Sequence, residues 1–263
     1  MTQELFYRKS GSGPAVVLLH GFPDSGIIWE PIAATLAMSH TVIVPDLPGT
    51  GNSALEGPAM LPQMAAGICN ILTKEKITEV VLVGHSMGGY TALAFAALYP
   101  QMVRGLSMVH STPAADDDEK KKTRLKAIDI IRNGGKQAFI KQMTSNLFAE
   151  NFRKEHPEVL QWKNARGLEV SIEGLENFYR AMIARADNTL LLHQASYPVQ
   201  WIMGTEDSLI DYRRILKECF HSHVNFVTLY EGCGHMSMLE CPDKLTGDLQ
   251  EFLAYCYHKP STP

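Results

Sequence analysis

Glu79-Val80-Val81-Leu82-Val83-Gly84-His85-Ser86-Met87-Gly88-Gly89-Tyr90 is the stretch that decides how this chain is read. The apolar, β-branched run Val80–Val83 predicts a buried strand, and the small-residue stretch Tyr90–Tyr99 predicts a helix. Between them stands Gly-x-Ser-x-Gly, a strand–turn–helix pattern in which the serine projects from a strained turn. The chemistry accounts for the glycines. Where the chain reverses so tightly, a side chain at 84 or 88 would collide with neighbouring backbone. The helix beyond Ser86 aims free N–H groups and its positive dipole end at developing negative charge. Ser86 is therefore the candidate nucleophile.

Working outward, five more apolar runs resemble Val80–Val83. They are Ala15–His20, Thr41–Asp46, Gly105–His110, Val199–Gly204 and Asn225–Tyr230. Runs that stay apolar instead of alternating suit a parallel sheet covered on both faces. Helical patterns lie between them near residues 29–37, 60–75, 87–99, 211–220 and 242–258. This alternation predicts a doubly wound, mostly parallel α/β sheet. Ligands of such sheets bind at the carboxyl ends of the strands, so the strand-exit residues are the ones to read for chemistry.

One interval breaks the rhythm. From about Pro113 to about Leu192 there is no convincing strand. Asp116-Asp117-Asp118-Glu119 opens a helix with acids at its positive end, Gly134-Gly135 closes it, and further helices are expected around 136–145 and 171–185. Residues 113–192 are expected to form a helical lid inserted in a core made of 1–112 and 193–263. The tail Lys259–Pro263 is expected to fray.

Composition narrows the functional classes. A chain of 263 residues with 45% hydrophobic content can bury one substantial α/β core. A net charge of −4 gives a nucleic-acid partner no electrostatic support. The start, Met1–Lys9, lacks the apolar segment of a signal peptide, and no apolar run approaches the ~20 residues that span a bilayer. Five scattered cysteines without a CxxC pair point to reduced thiols in a cytoplasmic setting, with neither zinc nor a disulfide framework.

A serine hydroxyl needs a base. Of ten histidines, His235 lies in the glycine-loosened loop Gly232-Cys233-Gly234-His235 directly after the last apolar run, at the strand-exit edge. His20 and His110 also end strands. His20 belongs to the pair His20-Gly21, His110 is expected on the pocket floor, and His85 is expected to pack beneath the turn. A carboxylate must orient the base and stabilise its charged form. Glu206, Asp207 and Asp211 all follow the run that ends at Met203–Gly204. Asp207 is the first choice, with Glu206 and Asp211 as rivals. The order is then Ser86, Asp207, His235. Donors for an oxyanion are expected from the Met87 N–H and from the Phe22 N–H in His20-Gly21-Phe22-Pro23.

His20-Gly21-Phe22-Pro23 with Trp29 downstream, Asp46–Ser53, Gly84–Gly89, Gly204…Asp207 and Gly234-His235 follow one another as in the α/β-hydrolase superfamily. The chain resembles its lid-bearing carboxylesterases and C–C bond hydrolases, outside the helical insertion. The resemblance implies independence of cofactors and a mainly architectural role for Asp46–Ser53; the expected partner is a small-molecule acyl substrate, with no nucleic acid, membrane or metal. In one respect the sequence departs from a common form, since no proline follows Asp207. Epoxide hydrolases and haloalkane dehalogenases share the His-Gly loop but place aspartate at the nucleophile position. Ser86 cannot form and hydrolyse their alkyl-enzyme ester.

The expected activity is hydrolysis of a carboxylic ester, thioester or lactone through an acyl-Ser86 intermediate. The alternatives with the same machinery are C–C cleavage of a vinylogous diketone, perhydrolysis or acyl transfer, and proline-directed peptide cleavage. A ligand receptor on the same fold is the alternative from another class. Phe139, Met143, Leu147, Phe148, Phe178 and Met182 of the insertion are candidates for the acyl pocket. Trp29, His110 and Met236 are the candidates from the core.

Overall fold

The computed structural model describes residues 4–219 and 222–258, so the tail expected to fray lies outside the described residues. Seven strands form one sheet: β1 (Tyr7–Ser10), β2 (Ala15–Leu19), β3 (Thr41–Pro45), β4 (Val80–His85), β5 (Val103–Val109), β6 (Val199–Gly204) and β7 (Asn225–Tyr230), in the order β1-β3-β2-β4-β5-β6-β7. The six apolar runs of the sequence are β2 to β7, and every pairing among them is parallel. The edge strand β1 runs antiparallel to β3, with Tyr7 opposite Pro45. Tyr7-Arg8-Lys9-Ser10 carries no apolar signal because none of its residues is fully buried.

The sheet sorts its side chains by the twofold alternation of a strand. Val17 and Leu19 of β2 and Val80 and Leu82 of β4 face helices α2 (Leu61–Lys74) and α3 (Met87–Leu98). Val16, Leu18, Val81 and Val83 face the opposite layer, built from α1 (Glu30–Leu36) and the C-terminal helix. That helix, Pro242–Tyr257, seats Leu245, Leu249, Phe252 and Leu253 against the sheet. Among the described residues no helix is long and apolar enough to cross a membrane.

The strand order reverses at β2, which lies between β3 and β4. Loops leaving β2 and β4 therefore diverge over a crevice at the carboxyl edge, the position where such sheets bind ligands. The two exits are pressed together. A Cβ on Gly88 would overlap the Leu19 carbonyl and lie 2.7 Å from that of His20. A Cβ on Gly84 would lie 2.5 Å from Gly88 O and Gly89 N.

Between β5 and β6 the chain builds six helices: α4 (Asp118–Ile130), α5 (Lys136–Leu147), α6 (Glu150–Glu155), α7 (Pro157–Glu169), α8 (Ile172–Ile183) and α9 (Thr189–His193). Asp117 caps α4 by accepting from Lys120 N, and Gly134 turns the chain with φ 88°. The insertion packs on the core through Ile128, Ile140, Leu175 and Phe178, which meet Leu47, Met64, Met87 and Tyr90. Its two ends are tied together. Asn188 N donates to Pro113 O, Arg185 donates to Ala114 O, and buried Asp116 receives Arg124 and Arg185. After β6 and β7 come α10 (Tyr212–Glu218), α11 (Ser237–Glu240) and α12, the Pro242–Tyr257 helix described above.

The contact at Gly88 leads to a stability prediction. Gly88→Ala has no flexible neighbour to displace, so it should destabilise the fold by about 1–3 kcal/mol, the usual cost of overpacking. The urea midpoint should fall at unchanged m value, and an unshifted midpoint would contradict the close packing of β2 on the turn.

Candidate active site

Ser86 sits where β4 passes into α3, with φ 51° and ψ −116°. A non-glycine residue in that region costs on the order of 1–3 kcal/mol and must be held by its surroundings. Ser86 N donates to Val109 O (2.9 Å), while Ser86 O accepts from Gly89 N (2.9 Å) and from the Ser111 hydroxyl (2.8 Å). Gly89 leaves the space that Ser111 fills, for a Cβ there would overlap Ser111 Oγ. The Met87 N–H belongs to the first turn of α3, where amides have no acceptor within the helix. Among the described residues, neither Met87 N nor Phe22 N is engaged by a backbone carbonyl.

His235 follows β7, and Asp207 follows β6. His235 Nδ1 lies 2.7 Å from Asp207 Oδ2, and both side chains are almost wholly buried. The carboxylate also accepts from His110 Nδ1 (3.1 Å), Leu209 N (2.9 Å) and Ile210 N (3.0 Å). Burial alone would push the Asp207 carboxyl up. The adjacent His235, with hydrogen bonds from His110 and His235, outweighs burial and holds it well below the usual carboxylate range. Glu206 is exposed and accepts from Glu150 N at 3.1 Å, at the start of α6. Asp211 caps α10 through Arg213 N. The structure thus brings Asp207 to His235 and leaves its two rivals at helix starts.

Three imidazoles crowd the strand exits, with ring centroids 4.9 Å apart for His85–His235 and 5.5 Å for His110–His235. His85 packs under the turn and bonds His235 O through Nε2 at 2.9 Å. His110 holds φ 48° at the end of β5 and is fully buried, so its Nδ1 serves as a second donor to Asp207. Burial, reinforced by His235 and His110, pushes His85 well below the ordinary histidine value. Burial likewise lowers His110 and His20. His20 accepts from Leu47 N (2.9 Å), which leaves its Nδ1 proton for Gly21 O (2.9 Å) and gives it a structural role. His110, Asp207 and His235 also offer ligand atoms within 4.8 Å of one another. A metal there would have to displace the protons that both Nδ1 atoms donate to the carboxylate.

The pocket candidates divide into two groups. Phe178 and Met182 are buried in the cluster that contains Met87, and Phe139 packs against it. The Phe22 ring meets Phe178 edge-on at 6.1 Å and Tyr179 at 4.7 Å, and Phe139 lies 6.0 Å from Tyr179. Trp29, Phe148 and Met236 belong instead to the cluster beneath β2 and β4, on the α1 and α12 side. Met143 touches both clusters. Tyr179 is missing from the sequence reading, although it follows Phe178 directly.

Two further residues escaped the sequence. Glu240 accepts from Gly234 N, Met236 N and Ala149 N, each at 3.0 Å, and so anchors the His235 loop to the insertion. His235 N itself donates to Leu147 O at 2.7 Å. Lys163 of α7 is fully buried and lies 3.2 Å from Asp24, in the loop that carries Phe22. Single charged residues on polar helices carry no periodic signal that would reveal such burial.

The sheet order, with its serine turn at the carboxyl end of β4, is that of a hydrolase fold. The chain belongs to the alpha/beta hydrolase fold family, whose model matches residues 14–242. It is 30% identical over 255 residues to the pimeloyl-[acyl-carrier protein] methyl ester esterase of Xanthomonas oryzae pv. oryzae, covering 93% of this chain and 96% of that one. It is 29% identical to the thermophilic esterase of Thermogutta terrifontis, with a TM-score of 0.90 over 97% of this chain and 94% of that one. The enol-lactonase of Burkholderia xenovorans LB400 shares the fold at 22% identity, with a TM-score of 0.87 over 95% and 96% of the two chains.

The buried histidines set a stability profile. His20, His85 and His110 have folded-state values lowered from about 6.5, so below that pH the unfolded chain binds protons that the native protein refuses. Their stabilising contribution is complete above about pH 6.5 and is lost as pH falls, by about 1.4 kcal/mol per pH unit for each histidine. His85→Gln keeps a donor for His235 O and removes one titrating group. Urea midpoints between pH 7.5 and 5.5 should therefore fall less steeply for the variant, and parallel profiles would argue against a buried neutral His85.

Proposed function

We propose that this hydrolase cleaves carboxylic esters of small or medium acyl chains through an acyl-Ser86 intermediate. The observation that carries the reading is the 2.7 Å contact of His235 Nδ1 with the buried Asp207 carboxylate. With the Nδ1 proton facing Asp207, Nε2 is free to act as the base. In the first half-reaction, Nε2 takes the Ser86 proton as Oγ attacks the ester carbonyl. The oxyanion that forms is stabilised by the N–H groups of Met87 and Phe22. His235 then returns its proton to the departing alkoxide, which leaves as the alcohol. A water molecule, deprotonated by His235, releases the carboxylic acid and restores Ser86.

Residues 113–192 act in this reading as a lid, with Phe22, Phe178, Tyr179 and Met182 beside the acyl group. The support is their burial in or against one apolar cluster with Met87, the residue after the nucleophile. A lid tied at both ends closes a pocket of limited depth, so p-nitrophenyl butyrate should be hydrolysed faster than long-chain esters. Faster turnover of emulsified long-chain triglyceride than of soluble butyrate esters would overturn that specificity.

Mutagenesis tests the roles. Ser86→Ala should lose on the order of 10⁶ in kcat, as expected when an activated nucleophile is removed from such a unit. A fluorophosphonate should label Ser86 in the wild type, as located by mass spectrometry. Retention of a tenth of the wild-type rate would reject the nucleophile. Asp207→Asn should lose on the order of 10⁴, because the base is left in the wrong tautomer. Glu206→Gln and Asp211→Asn change only helix-terminal hydrogen bonds and should each lose less than about tenfold. A crippled Glu206→Gln beside an active Asp207→Asn would reassign the acid.

A further inference from the structure

Two cysteines flank the loop that carries His235. Cys233 and Cys241 are eight residues apart in sequence, and their sulfurs are 3.5 Å apart. Both are free thiols. They open onto a surface cavity of about 440 Å³ that is also lined by Phe152, Tyr230, Glu240 and Lys244. The other three cysteines, Cys69, Cys219 and Cys256, show no comparable thiol partner among the described residues.

The pair is asymmetric. The contact with the Cys233 thiol, with Lys244 nearby, outweighs burial and the Glu240 carboxylate and holds Cys241 below the ordinary thiol value. The same contact, together with burial, pushes Cys233 up. Burial pushes Cys219 and Cys256 up to about 12, which leaves them unreactive. Cys241 is also only partly buried, whereas Cys233 lies deeper. One thiol is thus poised to attack and the other to resolve.

We propose that Cys233 and Cys241 form a redox-active dithiol, a modification site for hydroperoxides that closes a disulfide across the base of the His235 loop. The Cys241 thiolate attacks the peroxide oxygen, the O–O bond breaks, and the sulfur becomes a sulfenic acid. The Cys233 sulfur then displaces hydroxide from that sulfenic acid and gives up its proton. In sum, two thiols and one hydrogen peroxide yield one disulfide and two waters.

The backbone around the pair makes this modification consequential. Cys233 O accepts from Glu206 N at 2.9 Å, next to Asp207. Glu240, the residue before Cys241, accepts from the amides on either side of His235. Drawing the sulfurs from 3.5 Å to the roughly 2.05 Å of a disulfide moves both anchors of the base. A shift of about 1 Å at a catalytic group costs on the order of 10²-fold in rate.

The experiment exposes the full chain to hydrogen peroxide, blocks remaining thiols with iodoacetamide and cleaves with a glutamate-specific protease. Cleavage after Glu240 separates the two cysteines, so a disulfide appears as two peptides joined at 233 and 241, lighter by two hydrogens. Turnover of p-nitrophenyl butyrate should fall on the order of 10²-fold on oxidation and return with dithiothreitol. Cys241→Ser should keep basal turnover and lose the reversible peroxide response. Phenylarsine oxide, which bridges neighbouring thiols, should inhibit the wild type, with relief by 2,3-dimercaptopropanol, and spare the variant. Two alkylated cysteines after peroxide, or sulfinic acids without a linked peptide, would overturn the dithiol. An equal peroxide response in Cys241→Ser would overturn its link to the base. The mass measurement is independent of the ester chemistry, so failure of the proposed activity and failure of the dithiol are told apart.

Discussion

The arrangement at the strand exits depends on keeping the Asp207 carboxylate ionised although only 1% of its side-chain surface is exposed. An unpaired charge at that depth would cost several kcal/mol. Here four donors surround it: two imidazoles and the amides of Leu209 and Ile210. Those donors come from three strand exits. His110 ends β5, Leu209 and Ile210 follow β6, and His235 follows β7. Satisfying one buried charge therefore brings the carboxyl ends of three neighbouring strands together. The serine turn of β4 joins them through Ser86 N and Val109 O, one residue before His110.

The same region bonds the helical insertion to the strand exits. Leu147 O holds His235 N, Ala149 N shares Glu240 with the amide of Gly234, and Glu150 N rests on Glu206. A Cβ on Gly234 would lie 2.5 Å from Ala149 N, so the histidine loop and the end of α5 touch backbone to backbone. On the opposite side, buried Lys163 reaches Asp24, two residues beyond Phe22. Removing one partner of such a pair costs about 3–5 kcal/mol because a charge is left uncompensated. The insertion thereby touches the loop of His235 and the loop of Phe22 at once. The dithiol lies just outside this framework, where a small covalent change reaches Glu206 and Glu240 through the backbone.

Much of the site was legible because its constraints are local. Gly84, Gly88 and Gly89 surround Ser86 within six residues, so the pattern is readable locally, although only at Gly84 is the missing space set by the turn itself; at Gly88 it is set by β2 and at Gly89 by Ser111. The parallel strands were legible for a similar reason, since burial on both faces demands unbroken apolar runs. The edge strand β1 faces solvent and pairs antiparallel with β3, so Tyr7-Arg8-Lys9-Ser10 shows nothing of it. Helices α6 and α7 were hidden for a related reason: Glu150–Glu155 has Phe152 as its one apolar residue and none that is fully buried, and in α7 only Lys163 and Gly167 are fully buried.

The sequence by itself determined the serine turn, the parallel strands and the loop that bears His235, because each is marked by glycines or apolar runs within a few residues. It left Glu206, Asp207 and Asp211 as rivals, because which side chain turns inward depends on the exit of β6 and on what packs over it. Tertiary structure decided that contact. It also decided the second donor His110, 97 residues before Asp207, the anchoring of the His235 loop by Glu240, and the meeting of Cys233 with Cys241. Each joins groups whose chemistry in isolation is ordinary, and burial in a shared space is what gives it a role.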